Sequence, residues 1–148
     1  MLVKEVMTPA PVCCTPDTKI DQVATLMLDH DCGIVPVCKD SKLVGVITDR
    51  DVTCRAVAKG MYPAAVAVRD VMTKTVFTIH QDEEVDAAIQ LMEARQVRRL
   101  PVVDDAGHVV GIVAPSDLAP TFASTNVADF LLAVSYWSRR PAAAPAVS

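Results

Sequence analysis

The stretch that decides the fold is Gly45-Val46-Ile47-Thr48-Asp49-Arg50-Asp51. It predicts a short apolar strand, a turn and the start of a helix over residues 52–59. Thr48 occupies the expected N-cap, where unpaired N–H groups stabilise a phosphate or another anion. Asp51 offers a carboxylate that can accept hydrogen bonds from both hydroxyls of a ribose. The alternative is an ordinary capping box, in which the Asp51 carboxylate bonds back to the amide of Thr48.

Composition restricts the class of protein. Of the 148 residues, 51% are apolar but only 4% are aromatic, so Val, Ala, Leu, Ile and Met must supply the core. A formal net charge of −4 argues against a nucleic-acid-binding protein that neutralises phosphates. No apolar run reaches the ~20 residues that span a bilayer, and no secretory signal is visible. We therefore expect a cytoplasmic protein without nucleic-acid or membrane partners.

The chain contains the same unit twice. Lys-Glu-Val-Met-Thr at 4–8 recurs as Arg-Asp-Val-Met-Thr at 69–73. At this offset, identical residues recur as Asp17 and Asp82, Asp21 and Asp86, Leu26 and Leu91, Met27 and Met92, Pro36 and Pro101, and Val37 and Val102. After one inserted residue, Gly45 and Asp51 correspond to Gly111 and Asp117. Such self-similarity indicates an internal duplication.

Each copy predicts the order strand, helix, strand, strand, helix. The first strands are expected at 11–14 and 76–79, and Asp17 and Asp82 are expected to cap the helices that follow. The later strands are expected at 34–37 and 43–47, and at 100–103 and 109–113. A glycine at the start of each closing strand allows a backbone or a ligand to come close.

These signals define five segments. They are repeat 1 (2–59), a linker (60–68), repeat 2 (69–124), a C-terminal helix (126–138) and a disordered tail (139–148). Phe130, Leu131, Val134 and Trp137 form an apolar stripe on the C-terminal helix, which is a candidate dimer or partner surface.

Two such units, with Val-Met-Thr openings, Pro-Val strands and a closing Gly-x-x-Thr-x-x-Asp, resemble a tandem pair of CBS domains, the Bateman module, over about residues 2–124. The resemblance implies an α/β (α+β) fold of two pseudo-symmetric repeats packed through their sheets. It also implies that an adenosine nucleotide (AMP, ADP or ATP) binds in clefts between the repeats, and that the protein is a homodimer. The stand-alone length and the final helix resemble small bacterial hypoxia- and stress-response CBS proteins.

Carried over by position, the resemblance places Asp51 at the ribose and Thr48 at the phosphate. The other residues implied at this nucleotide-binding site are Thr8, Cys14, Ile34, Val35, Pro36, Ile47 and Arg50. A second site would contain Thr73, Arg98, Arg99, Leu100, Pro101, Val113, Ser116 and Asp117. Because Ala114 replaces the threonine there, one hydrogen bond worth about 1 kcal/mol is lost, and we expect the second site to be weaker.

The cysteines and histidines suggest little further chemistry. Five cysteines lack the spacing of a disulfide framework or a zinc ribbon. The expected pairing of the first two strands brings Cys38 close to Cys13 or Cys14, so Cys14 and Cys38 are a candidate redox pair; free thiols are the alternative. His30, His80 and His108 lie on separate polar turns, so no metal site is expected.

The predicted function is therefore regulatory: a sensor of cellular energy or stress that binds a nucleotide and signals to an unidentified protein partner. One alternative is a structural or redox-stress interaction protein that binds no nucleotide. Another is a regulatory subunit that binds S-adenosylmethionine. We expect no enzyme activity and no catalytic cofactor, because neither a nucleophile–base–orienter set nor a Gly-rich phosphate loop is visible.

Overall fold

The computed structural model describes residues 1–122 and 126–135. Along the chain the elements are α1 (Val3–Val6), β1 (Thr8–Pro9), α2 (Ile20–Asp29), β2 (Ile34–Lys39), β3 (Lys42–Thr48), α3 (Asp49–Asp51), β4 (Ile79–His80), α4 (Val85–Arg95), β5 (Leu100–Val103), β6 (Val109–Val113), α5 (Pro115–Leu118) and α6 (Val127–Ser135). A π-helical segment, Val52–Val57, continues α3, and 3₁₀ turns lie at Val68–Asp70 and Ala119–Thr121. The expected mixed α/β fold is confirmed.

The described chain divides into two units that do not coincide with the two repeats. One unit combines Met1–Ala10 with Phe77–Ala106 and the chain from Val110 onward. The other combines Pro11–Val76 with Gly107–Val109. Each unit therefore contains the body of one repeat and the Val-Met-Thr segment that opens the other repeat. The segment boundaries predicted above remain predictions.

In the unit built on Pro11–Val76, the antiparallel hairpin β2–β3 pairs Val35 with Ile47. Cys14 adds a parallel bridge to Val37. Helix α2 covers this hairpin with Ile20, Val23 and Met27 because these side chains recur on one helix face. The buried core consists of Cys14, Ile20, Val23, Met27, Val35, Val37, Ile47, Ala56, Val68 and Val71.

The other unit contains a four-stranded sheet in the order β1-β6-β5-β4. Strand β1 is antiparallel to β6, and β4 is parallel to β5. Helices α4 and α6 pack against each other in this unit. Its core consists of Val3, Ile79, Val85, Ala88, Met92, Val97, Leu100, Val102, Val113, Leu118, Phe130 and Val134.

The segments around the two Val-Met-Thr sequences, residues 2–10 and 67–75, are called the opening segments below. Opening segment 2–10 lies along the body of the second repeat, where the amide of Val3 donates to the carbonyl of Glu83 at 2.9 Å. Opening segment 67–75 makes the equivalent bond in the first repeat, from Val68 to Thr18 at 2.8 Å. The exchange is reciprocal, as expected of a duplicated sequence.

This exchange explains why Asp17 and Asp82 are not the helix N-caps that we predicted. Helices α2 and α4 begin later, at Ile20 and Val85. Asp17 forms an ion pair with Arg69, and Asp82 forms one with Lys4 at 2.6 Å. The two carboxylates therefore face basic residues of the opening segments.

Other boundaries shift as well. The predicted first strands are reduced to the Cys14 bridge and to β4. The helix predicted over 52–59 begins earlier, at Asp49, and is π-helical from Val52. The predicted C-terminal helix is described from Val127 to Ser135, whereas Trp137 and the predicted tail lie outside the described residues. None of the described helices has the length and apolar character needed to cross a membrane.

Two glycines allow the opening segments to approach the closing strands. A Cβ on Gly45 would lie 2.8 Å from the carbonyl oxygen of Thr73 and 3.1 Å from the sulfur of Met72. A Cβ on Gly111 would overlap the side chain of Met7 and lie 3.1 Å from the carbonyl oxygen of Thr8. The close neighbour expected at Gly45 is therefore an opening segment of the same chain.

Alanine at either glycine should destabilise the protein by about 1–3 kcal/mol because the added methyl group overpacks this contact. We expect Gly45→Ala to cost more than Gly111→Ala, because its nearest obstacle is a backbone carbonyl rather than a flexible side chain. Urea unfolding of both variants measures the free energies.

A double-mutant cycle provides the control. Truncation of the Met7 side chain should recover part of the stability that is lost in Gly111→Ala. Truncation of the Met72 side chain should recover less of the stability that is lost in Gly45→Ala. Equal recovery by the two methionine substitutions would contradict this account of the contact.

Candidate functional site

Thr48 and Asp51 form the capping box that was the alternative to a ligand site. The Oγ1 atom of Thr48 accepts from the amide of Asp51 at 3.0 Å. The Oδ2 atom of Asp51 accepts from the amide of Thr48 at 3.1 Å. Both side chains are almost completely buried, with exposures of 2% and 4%. In this structure the motif therefore serves the start of its own helix.

Asp51 also holds the opening segment 67–75. The hydroxyl of Thr73 donates to the carboxylate, at 3.3 Å from Oδ1 and 3.2 Å from Oδ2. The Nε atom of Arg55 lies 3.6 Å from Oδ1, and its Nη1 donates to the carbonyls of Val71 and Met72. Burial raises the pKa of Asp51, although the bonds from Thr48 and Thr73 and the charge of Arg55 act in the opposite direction.

Two threonines that were predicted as site residues each lie in the unit opposite to the expected one. Thr73, expected in the second site, donates to Asp51 of the first motif. Thr8, expected beside Asp51, pairs instead with Ile112 in the unit that contains Asp117. The reason is the reciprocal placement of the opening segments, which the duplication in the sequence does not reveal.

The remaining residues predicted around Asp51 are mostly core residues. Val35 and Ile47 are fully buried, and Cys14 is 7% exposed. Ile34 and Pro36 are also buried in β2, whereas Arg50 is exposed. Strand β2 is buried on both faces from Ile34 to Val37, whereas Arg50 lies in the short helix α3, after the strands have ended.

The second motif is more open. The Oδ2 atom of Asp117 accepts from the amide of Ala114 at 2.8 Å, and Asp117 is half-buried. Ala114 has no hydroxyl to complete the reciprocal cap. Beside this motif lies a cavity of about 330 Å³, within the size range of small-molecule sites. Its lining residues are Arg98, Arg99, Ala114, Pro115, Ser116, Leu131, Val134 and Ser135.

Three of the residues predicted for the second site, Arg98, Arg99 and Ser116, line this cavity. Leu100 and Val113 are fully buried in the core, and Pro101 is buried too. Helix α6 contributes three lining residues that are not predicted from the sequence, namely Leu131, Val134 and Ser135. The apolar stripe that contains Leu131 and Val134 was the available signal, but we interpreted it as a dimer or partner surface.

The candidate redox pair Cys14 and Cys38 is joined through the backbone, where the amide of Cys38 donates to the carbonyl of Cys14 at 2.8 Å. The thiol of Cys38 also lies near that of Cys13, which donates to the carbonyl of Pro11 at 3.5 Å. Cys14 points into the core, because its neighbour Cys13 occupies the opposite face of the extended chain. Burial raises the pKa of Cys14 and of Cys38 to about 12, so both thiols are protonated at neutral pH. None of the five cysteines, all of which lie in the described part of the chain, forms a disulfide in this structure.

His80 accepts from the amide of Asp82 through Nδ1 at 3.2 Å. Over residues 1–122 and 126–135, no three His, Cys, Asp or Glu side chains are grouped so that they could hold a metal ion.

Removal of the Thr73 hydroxyl should weaken the hold on the opening segment. We expect Thr73→Val to cost about 1.5–3 kcal/mol, the range for a hydrogen bond to a charged group. Thr8→Val is the matched control, since Thr8 occupies the equivalent repeat position but is exposed. Equal losses in urea unfolding would show that the bond to Asp51 is unimportant.

The raised pKa of Asp51 predicts a dependence on pH. Its contribution to stability should be complete below the ordinary aspartate pKa of 3.8 and should be lost as pH rises through the raised value. The stability of the native chain relative to Asp51→Asn should therefore fall as pH rises from about 3.5 to 7. Asp82→Asn should show the opposite slope, because the bond from Lys4 lowers the pKa of Asp82. Urea unfolding across this pH range distinguishes the two slopes.

Comparison with known proteins identifies three informative relatives. Uncharacterized protein MK0525 of Methanopyrus kandleri is 36% identical over 116 residues, 78% of this chain but 57% of that protein's length. CBS domain-containing protein YhcV of Bacillus subtilis is 38% identical over 117 residues, 79% of this chain and 82% of that protein. Hypoxic response protein 1 of Mycobacterium tuberculosis is 26% identical over 132 residues, 88% of this chain and 92% of that protein.

Solved structures share the fold. The CBS domain pair of protein MJ0100, in complex with 5-methylthioadenosine and S-adenosyl-L-methionine, has a TM-score of 0.73 and is 32% identical, over 82% of this chain and 95% of that one. CBSX2, in complex with AMP, has a TM-score of 0.69 and is 26% identical, over 81% of this chain and 94% of that one. The family model for the CBS domain matches residues 3–56 and 68–123. The chain therefore belongs to the CBS domain family and carries two CBS domains in tandem.

Proposed function

We propose that this protein is a regulatory module that binds an adenosine nucleotide in the cavity beside Ala114–Asp117 and signals its occupancy to a partner protein. The observation that carries the proposal is the cavity itself, about 330 Å³ in volume, with Arg98, Arg99 and Ser116 among its lining residues. Guanidinium groups form charge-assisted hydrogen bonds with phosphate, and a hydroxyl adds a neutral one.

Two relatives support an adenosine ligand. CBSX2 was solved with AMP, and the MJ0100 pair with 5-methylthioadenosine and S-adenosyl-L-methionine. All three ligands carry an adenine base on a ribose, which is consistent with a site that recognises these two groups. The two arginines favour a phosphorylated ligand over S-adenosylmethionine, because the sulfonium group of the latter is positively charged.

The preferred site differs from the one that the sequence favours. From the sequence we expect tighter binding at Thr48 and Asp51. In the structure, however, Asp51 is buried and already accepts hydrogen bonds from Thr48 and Thr73. A ribose there would have to compete with these bonds, whereas Asp117 is half-buried and accepts a hydrogen bond from the amide of Ala114. We therefore propose the cavity beside Asp117 as the principal site and the Asp51 motif as a weaker one.

Stand-alone CBS proteins are generally regulatory rather than catalytic. The proposed partner can be a second copy of the chain or another protein. Large apolar side chains are exposed in the unit built on Pro11–Val76, namely Leu28, Val57, Met61 and Tyr62. These side chains are consistent with the homodimer that we expect from the sequence. A role in energy sensing or stress response, in the cytoplasm, completes the proposal.

Nucleotide titration tests the proposal. A ligand at 100 times its Kd should stabilise the native chain by about 2.7 kcal/mol. Thermal melts with AMP, ADP, ATP or S-adenosylmethionine compare the four candidate ligands. Calorimetric titration of Arg99→Ala, which removes a guanidinium group from the cavity lining, should show an affinity at least about tenfold lower, as expected for loss of a hydrogen bond to a charged group. Asp51→Ala should lose less affinity while it remains folded.

Two outcomes would contradict parts of the proposal. A larger loss of affinity in Asp51→Ala would restore the order of sites that the sequence favours. Absence of binding by the native chain to all four compounds would reject nucleotide recognition and favour the structural or redox-stress alternative.

A further inference from the structure

The cavity has two chemically different sides. Arg98 and Arg99 precede β5, and Ala114–Ser116 follows β6, so this side carries charge and polar backbone. Helix α6 supplies the other side through Leu131, Val134 and Ser135. A molecule with an anionic group at one end and a flat apolar ring at the other fits this division.

Helix α6 is attached to its unit along one face. Phe130 and Val134 are buried, with exposures of 1% and 0%. The ring of Phe130 stacks on that of Phe122, with the two centroids 4.9 Å apart and 28° between the ring planes. Packing of α6 against α4 adds to this attachment. The position of the cavity wall therefore depends on Val134, which lines the cavity, and also on Phe130 and Phe122, which do not.

Two neighbouring leucines on α6 have different surroundings. Leu131 lines the cavity and is 42% exposed. Leu132 is 67% exposed and is not among the lining residues. Substitutions at these two leucines can therefore be compared. The effect of losing a contact with the cavity is distinguished from the effect of losing any apolar side chain on this helix.

We infer that α6 is a ligand-responsive wall: Leu131 contacts the base of the bound nucleotide, and occupancy of the cavity stabilises the packed position of α6. The inference rests on the proposed function, which it deepens by naming the element that responds to the ligand. The physical reason is linkage. A ligand shifts an equilibrium only if it binds one state better, and a nucleotide that touches α6 binds the packed state better than a state in which α6 has moved away. By reciprocity, weaker packing of α6 lowers nucleotide affinity.

Hydrogen exchange and titration with AMP and ATP test the inference on the full chain. Amide exchange in α6 should slow when the nucleotide is added, whereas exchange in α2 should change less because α2 belongs to the other unit. Leu131→Ala should lower nucleotide affinity by about three- to tenfold, the effect expected for partial loss of a buried apolar contact. Leu132→Ala, the matched control, should retain the native affinity.

A third variant tests reciprocity without altering the cavity lining. Phe130→Leu removes the ring stacking with Phe122, so exchange in α6 should become faster and nucleotide affinity should fall. Faster exchange at unchanged affinity would overturn the inference. Should Leu131→Ala fail to fold, Leu131→Gln keeps the length of the side chain but places an amide against the base, and its affinity should also fall.

The outcomes distinguish this inference from the proposed function. If the native chain binds neither AMP nor ATP, the proposed function fails. If it binds but Leu131→Ala and Leu132→Ala both retain native affinity, or if the nucleotide leaves exchange in α6 unchanged, the inference is overturned while the proposed function stands.

Discussion

Each opening segment packs closely against the closing strand of the other repeat, and this contact governs how the two bodies are built. At Val46 and Thr73 the two backbones exchange hydrogen bonds of 3.0 and 2.9 Å. Thr8 and Ile112 form the equivalent antiparallel pair in the other unit. Gly45 and Gly111 permit both contacts, because a side chain at either position would occupy the space of a methionine or a carbonyl. The duplication therefore has two structural consequences: the two bodies have similar folds, and each body binds the opening segment of the other repeat.

This constraint gives the two copies of the closing motif different roles. The exchange brings the Thr73 hydroxyl to Asp51, and the pairing of Arg55 with the same carboxylate and with the carbonyls of Val71 and Met72 ties the opening segment to the motif. Asp51 is therefore a buried structural acid in this structure. In the second copy, Ala114 lacks the capping hydroxyl, and the space beside Asp117 is bounded by two arginines and α6. A substitution that looks like the loss of a binding group in the sequence accompanies the more open site in the structure.

Helix α6 forms part of the cavity that we propose as the ligand site. A tandem CBS pair could bind a ligand without any element beyond its repeats, but here a helix outside both matched CBS ranges contributes three lining residues. Val134 of α6 belongs to the buried core and also lines the cavity, so α6 would connect core packing with ligand contact in the proposed function. Such a helix can signal that a cavity is occupied without moving far, because a change in the stability of its packing alters the surface that a partner protein contacts.

Local sequence patterns are sufficient to predict the duplication, the mixed α/β class, the hairpins and helices of each body, and the family. Apolar periodicity, repeated motifs and turn residues carry this information, because they act between neighbours along the chain. Three features follow only from the folded chain: the body that each opening segment joins, the position of Cys13 as well as Cys14 beside Cys38, and the contribution of α6 to the cavity beside the second motif. Those outcomes depend on contacts between residues far apart in the chain, such as Thr73 with Asp51 and Lys4 with Asp82. Both opening segments carry Val-Met-Thr after a basic and an acidic residue, so the sequence does not indicate which body each segment joins. The packing of the complete chain distinguishes the two possibilities.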